Sequence, residues 1–203
     1  MPAEESQDCL YLVRDAFGEQ YADAYLAAEP IRVTGSRLPD AVRDAPASMI
    51  AVVHAGQDGD LRDALDRLGF ERGVPTVGVG LLPTRIVCGP AVIPGSTACH
   101  ACHRRRIEQH RDPAHADDDP DGAARGLPEG FGRMHLAIAH GLLELAKAEM
   151  RAGPEGIGGT VRSHDLVSGG LSTAATVAVD RCARCGDRWS GLRDGAAAVS
   201  GLM

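Results

Sequence analysis

Residues 49–79 read MIAVVHAGQDGDLRDALDRLGFERGVPTVGV, and this stretch decides the fold class. Met49–Val53 is an apolar run of strand length, and Thr76–Val79 is a second. Between them Leu61, Leu65 and Leu68 recur at helical spacing, with Gly69 as the expected C-cap. Strand, helix and strand joined by short loops predict a right-handed crossover and a parallel sheet. Outward from there, Ile31–Val33 predicts an earlier short strand and Ile86–Cys88 a later one, before Gly89-Pro90. Leu10, Val13, Phe17 and Tyr21, spaced by three and four, predict an amphipathic helix over residues 7–28 that Glu29-Pro30 ends.

Toward the C-terminus, residues 112–130 (DPAHADDDPDGAARGLPEG) have the composition of a surface loop. Residues 133–151 predict a broadly buried helix. Met134, Ile138, Leu142 and Leu145 lie on one face, Leu136, Leu143 and Met150 beside it, and Gly153-Pro154 stops it. Gly159–Asp165 and Ala174–Val179 predict a hairpin with Ser168-Gly169-Gly170 in its turn. The organisation expected is an N-terminal helix (1–30), an α/β domain (31–189) and a patternless tail (190–203).

Composition excludes several classes. The 203 residues are 44% hydrophobic, too many for a disordered chain. No apolar stretch approaches the roughly 18–20 residues that span a bilayer, so no membrane segment is expected. The acidic start MPAEESQDC is unlike a secretory signal, which points to the cytoplasm. A formal charge of -7 argues against a nucleic-acid partner. Lysine occurs once, at Lys147 in Leu-Ala-Lys-Ala, so a Walker A loop is ruled out.

Two Cys-x-x-Cys pairs, Cys99/Cys102 and Cys182/Cys185, are the strongest chemical signal. Four thiolates suit tetrahedral zinc and leave no coordination position open for a substrate. A cytoplasmic chain disfavours disulfides, and a redox dithiol of the thioredoxin type comes as a single pair. His100 and His103 flank the first pair and are alternative ligands, which the complete cysteine set disfavours. Cys9 and Cys88 read as buried small hydrophobes, since no base or helix N-terminus is seen beside either. His54 ends a predicted strand, where open α/β sheets place ligands, but a structural histidine is the more ordinary reading. Arg104-Arg105-Arg106, with Arg111 beyond, fan over different helix faces; they read as a solvated helix start or as an anchor for an acidic peptide. Asp117–Asp119 and Asp121 lack EF-hand spacing and read as a solvated loop.

Gly73-Val74-Pro75, then Cys88-Gly89-Pro90-Ala91-Val92-Ile93-Pro94-Gly95-Ser96-Thr97-Ala98-Cys99-His100-Ala101-Cys102, carry a family resemblance. The chain resembles the ThiF-like, leader-peptide-binding partner proteins of azoline-forming peptide biosynthesis. These carry a Gly-Pro-apolar-apolar-x-Pro-Gly-x-x-x-Cys-x-x-Cys run, then a helix, a hairpin and a second Cys-x-x-Cys, as His164–Gly186 supplies here. The resemblance covers about residues 31–189. It implies a partial Rossmann-like, ThiF/MoeB-type α/β sheet with a structural four-cysteine zinc site. It implies further a partner that binds a ribosomal precursor peptide and presents it to a YcaO-type ATP-dependent cyclodehydratase; we expect this chain to be non-catalytic, with Arg104, Arg105 and Arg106 as the peptide anchors if the second reading of that run holds. ThiF-like relatives commonly dimerise, so a homodimer is admitted.

The chain departs from the pattern in two places. No Gly-x-Gly-x-x-Gly loop is present, since Gly35-Ser36-Arg37 is no substitute and Gly78-Val79-Gly80 precedes no helix; no nucleotide is therefore expected. Residues 1–30 are also too few for a winged-helix-like peptide-binding domain, which makes the likeness one to the C-terminal half of the family. Two other readings remain open: an adenylyl or sulfur transferase with Cys88 as nucleophile, and a zinc-stabilised interaction module.

Overall fold

The computed structural model describes residues 9–35, 37–56, 58–110, 130–153 and 159–186. Arg111, the 112–130 loop up to its last residue, and the tail from 187 onward lie outside the described residues. The described chain forms one seven-stranded sheet with helices on both faces. Its strands are β1 (Cys9–Val13), β2 (Ile31–Arg32), β3 (Met49–Ala55), β4 (Thr76–Leu81), β5 (Arg85–Cys88), β6 (Thr160–Asp165) and β7 (Leu171–Ala175). They lie in the order β2-β1-β3-β4-β5-β6-β7. The first four are parallel, and β5 to β7 are joined antiparallel. No helix among the described residues is long and apolar enough to cross a membrane.

Strand alternation sorts the core into two layers. Met49, Ala51, Val53 and Ala55 of β3 and Val77, Val79 and Leu81 of β4 face α1 (Ala16–Tyr25) and α5 (Arg133–Ala152). Leu12, Ile50 and Val52 face α2 (Asp40–Asp44) and α3 (Gly59–Arg72). Strands buried on both faces read as continuous apolar runs, which is why β3 and β4 were visible in the sequence.

Four expectations need correction. Residues 9–13 are a strand, not the opening turns of a helix. Leu12 and Val13 are fully buried on opposite faces, and β1 pairs with β3 from Cys9↔Met49 to Val13↔Val53. Asp15 then ends the strand and caps α1, accepting from the Phe17 and Gly18 N–H groups. Residues 9–13 are thus a strand of the sheet, and the helix expected over 7–28 is confined to Ala16–Tyr25. Second, α3 runs on to Arg72, and its C-cap is Gly73 at φ +68°, the left-handed conformation glycine adopts without strain. Gly69 lies a turn inside, where a Cβ would press on Thr76 and the Val74 carbonyl. Third, the buried side of α5 is rotated from the one expected. Leu136, Ala139, Leu143, Ala146 and Met150 are buried with Leu142, whereas Met134 is 63% and Leu145 50% exposed. Fourth, the second hairpin strand is Leu171–Ala175 rather than Ala174–Val179. Asp165 tightens the turn by accepting from Val167, Ser168 and the Ser168 hydroxyl.

Candidate functional site

The first cysteine pair is set where a tight turn hands the chain to α4 (His100–His110). Thr97 shapes that turn: its hydroxyl accepts from the Ile93 N–H at 2.8 Å, and its own N–H reaches the Ile93 carbonyl at 3.0 Å. Cys99 thus stands just before the helix and Cys102 in its first turn. The second pair sits in a loop after β7, closed by the Gly186 N–H on the Cys182 carbonyl at 2.7 Å. The sheet and α5 intervene in sequence, yet all four sulfurs lie within 4.8 Å of one another and are buried. Cys99 stands 3.6 Å from Cys102 and 3.5 Å from Cys182, and Cys102 is 3.5 Å from Cys185. These are far beyond a disulfide bond of about 2 Å. A tetrahedron with metal–sulfur bonds of about 2.3 Å would separate its sulfurs by about 3.8 Å, so the donor set fits a metal ion.

Side chains on neighbouring elements hold the two pairs together. Arg184, between the second pair, donates to Asp63 at 2.8 Å and Asp66 at 2.5 Å on α3, locking the loop to the helix. Arg106 reaches from α4 to the carbonyls of Val177 and Ala178 at 3.4 Å. The Val179 N–H points at the Cys102 sulfur from 3.3 Å. Without a cation the thiols compete for protons. The neighbouring Cys185 thiol and burial push Cys99 above the ordinary thiol range, and burial raises Cys102 to about 11. Against the burial that would raise it, the Cys185 and Arg184 backbone N–H groups hold Cys182 down to about 7. A cation at the centre would make four thiolates compatible. The sequence announced the cysteines, but not Asp63, Asp66 and Arg184, whose only signal is charge brought together by folding.

The other singled-out residues lie elsewhere. His103 is bonded to Thr176 at 3.3 Å, and neither it nor His100 belongs to the four-sulfur cluster. Cys9 and Cys88 are buried, and burial raises their thiols to about 11 and about 12, which leaves both protonated at neutral pH. Arg104 and Arg105 are exposed on α4 and Arg106 is partly buried, so the three form no single cradle.

The first β–α turn is where a doubly wound sheet ordinarily opens its glycine loop to phosphate. In that register Val13, Asp15 and Gly18 stand at the glycine positions. Gly18 is needed, since a Cβ there would come 2.7 Å from the Val53 carbonyl. Asp15 turns its own carboxylate onto this turn. One oxygen accepts from Phe17 and Gly18 at 3.0 and 3.1 Å, the other from Ala55 of β3 at 2.7 Å. It therefore bridges β1 and β3 at the point where the strand order reverses.

No family profile and no curated protein matches the chain. Solved structures do. The heterocyclase TruD superposes with a TM-score of 0.56 at 16% identity, over 94% of this chain and 29% of that one. The E. coli microcin synthetase McbBCD complex gives 0.54 at 15%, over 90% and 70%. E. coli MccB with MccA-N7isoASN gives 0.55 at 12%, over 88% and 60%. The chain spans less than a third of TruD's length. What it shares with these proteins is the fold.

Proposed function

We propose that this chain is a non-catalytic partner in ribosomal peptide modification, presenting a precursor peptide to a YcaO-type ATP-dependent cyclodehydratase. The observation that carries the reading is the filled first turn. Its fold is shared with a heterocyclase and a microcin synthetase, and the N–H groups that open α1 are capped by the Asp15 carboxylate. A chain built this way supplies position rather than activation. Holding substrate beside enzyme raises its effective concentration, often to the millimolar range with short linkers.

In this reading Cys99, Cys102, Cys182 and Cys185 hold one structural zinc, because four thiolates close the coordination sphere. The ion contributes folding energy and no chemistry. Arg104 and Arg105 meet acidic residues of the peptide, and the exposed edge strand β7 accepts a partner strand by backbone pairing. The runner-up is a zinc-stabilised interaction module without a peptide substrate. The test is size-exclusion chromatography of this chain mixed with the precursor peptide and the cyclodehydratase from its own pathway. Co-elution is expected; three separate peaks at micromolar concentration would favour the runner-up.

A further inference from the structure

Gly80 lines a separate cleft, and Gly78, two residues before it on β4, lies against Arg62 at its edge. The cleft lies between α3, α4 and the β4–β5–β6 part of the sheet, with a volume of about 500 Å3, within the range that holds small ligands. Because Val77, Val79 and Leu81 face α5, the two glycines face the cleft side. A Cβ on Gly78 would overlap the Arg62 guanidinium, and one on Gly80 would stand 3.0 Å from the His54 ring. The missing side chains let both groups lie against bare backbone.

Arg62 is only 9% exposed and donates from one Nη to the Gly89 carbonyl at 2.7 Å. Its acidic neighbours are committed elsewhere, Asp66 to Arg184 and Asp58 to Arg14. Among the described residues no carboxylate is in direct contact with it, Asp66 acting on it only at longer range, and a buried charge without a direct counter-ion is unfavourable. His54 is 4% exposed, and neither ring nitrogen makes a hydrogen bond of normal geometry, although the Ala55 and Gly56 backbone lies close. The buried Nδ1 of His100 is likewise unpartnered among the described residues. Arg104 stands at the rim with only 4.0 Å contacts to Asp60 and Glu108. Val87, Ile107 and Val161 add an apolar wall.

We propose that this cleft binds a peptide carboxylate, from an acidic side chain or a chain end, held by the fork of Arg62 with Arg104 at the mouth. A planar monoanion matches a single buried guanidinium. Glu108 at the rim and the chain's charge of -7 oppose a dianion. The apolar wall receives the aliphatic neighbour of the carboxylate. His54 stays neutral, since burial pushes it down to about 3, and so serves as a hydrogen-bonding wall rather than a charge. This site rests on the peptide-binding part of that reading and not on the enzyme contact: failed carboxylate binding would leave co-elution with the cyclodehydratase untouched, and failed co-elution with the cyclodehydratase would leave this site standing.

The experiment is an amide-detected NMR titration of the full chain, read at Gly56, Gly59, Gly80 and Gly89. The probes are Ac-Leu-Glu-Leu-amide, Ac-Leu-Gln-Leu with a free carboxylate, the fully neutral Ac-Leu-Gln-Leu-amide, and inorganic phosphate. One carboxylate peptide is expected to shift these signals saturably, about tenfold more tightly than the neutral peptide or phosphate; which one does so identifies the source. Arg62→Lys keeps the charge but loses the fork and should abolish that preference. Because Arg62 is buried, the exposed Arg104→Glu provides a second variant that keeps the fold and should weaken binding about fivefold. Equal binding of the neutral peptide, tighter binding of phosphate, or no shift in the folded protein would each overturn the proposal.

Discussion

Asp15 satisfies three backbone N–H groups with two oxygens, two at the start of α1 and one at the end of β3. Losing an N-cap carboxylate costs about 0.5–2 kcal/mol. Stranding the buried Ala55 N–H adds about 1–3 kcal/mol. Asp15→Ala should therefore destabilise the chain by about 1.5–5 kcal/mol in urea titrations, and Asp15→Asn, which keeps one acceptor, by less. An Ala variant as stable as the parent would show that the carboxylate is not what joins the two elements. The cysteine cluster works at the same scale. One tightly held zinc per chain is expected by elemental analysis. Removing it, or replacing Cys99 or Cys182 with Ala, should unfold the segment after β7, because metal binding and folding are one equilibrium. Protein purified without metal and melting unchanged would contradict this.

Among the elements, α5 separates what periodicity reveals from what it does not. The helix was plain from its spacing, but its apolar residues cover more than half the circumference, so sequence alone could not choose the buried side. The sheet chose it. Leu143, fully buried beneath β4 and β5, should cost about 2–5 kcal/mol as Leu143→Ala. Half-exposed Leu145 should change stability by no more than about 0.5 kcal/mol as Leu145→Ala. Equal effects in the same denaturation assay would mean the helix is turned otherwise. The central strands were legible for the converse reason, since burial on both faces leaves an unbroken apolar run at β3 and β4. β1 was not legible. Its five residues continue by chance into the spacing of Phe17 and Tyr21, and its partners, Met49 to Val53, lie far along the chain. The four cysteines were read correctly as one cluster, while the Arg62 cleft was not, because a buried arginine over two glycines leaves no periodic trace.

At the scale of the whole molecule, one sheet carries three sites with different duties. The cysteine cluster fastens the loop after β7 to α3 and α4, the first β–α turn is closed by Asp15, and the Arg62 cleft opens on the α3–α4 side. The proposed positioning role uses that distribution as a fixed frame with surfaces left for a peptide and a partner. The direct test is reconstitution of azoline formation from the pathway's cyclodehydratase, precursor peptide and ATP, with and without this chain, followed by the mass loss of each dehydration. The account predicts at least a tenfold higher rate when the chain is present, in keeping with the gain from tethering, and no modification by the chain alone. Equal rates with and without it would contradict the account.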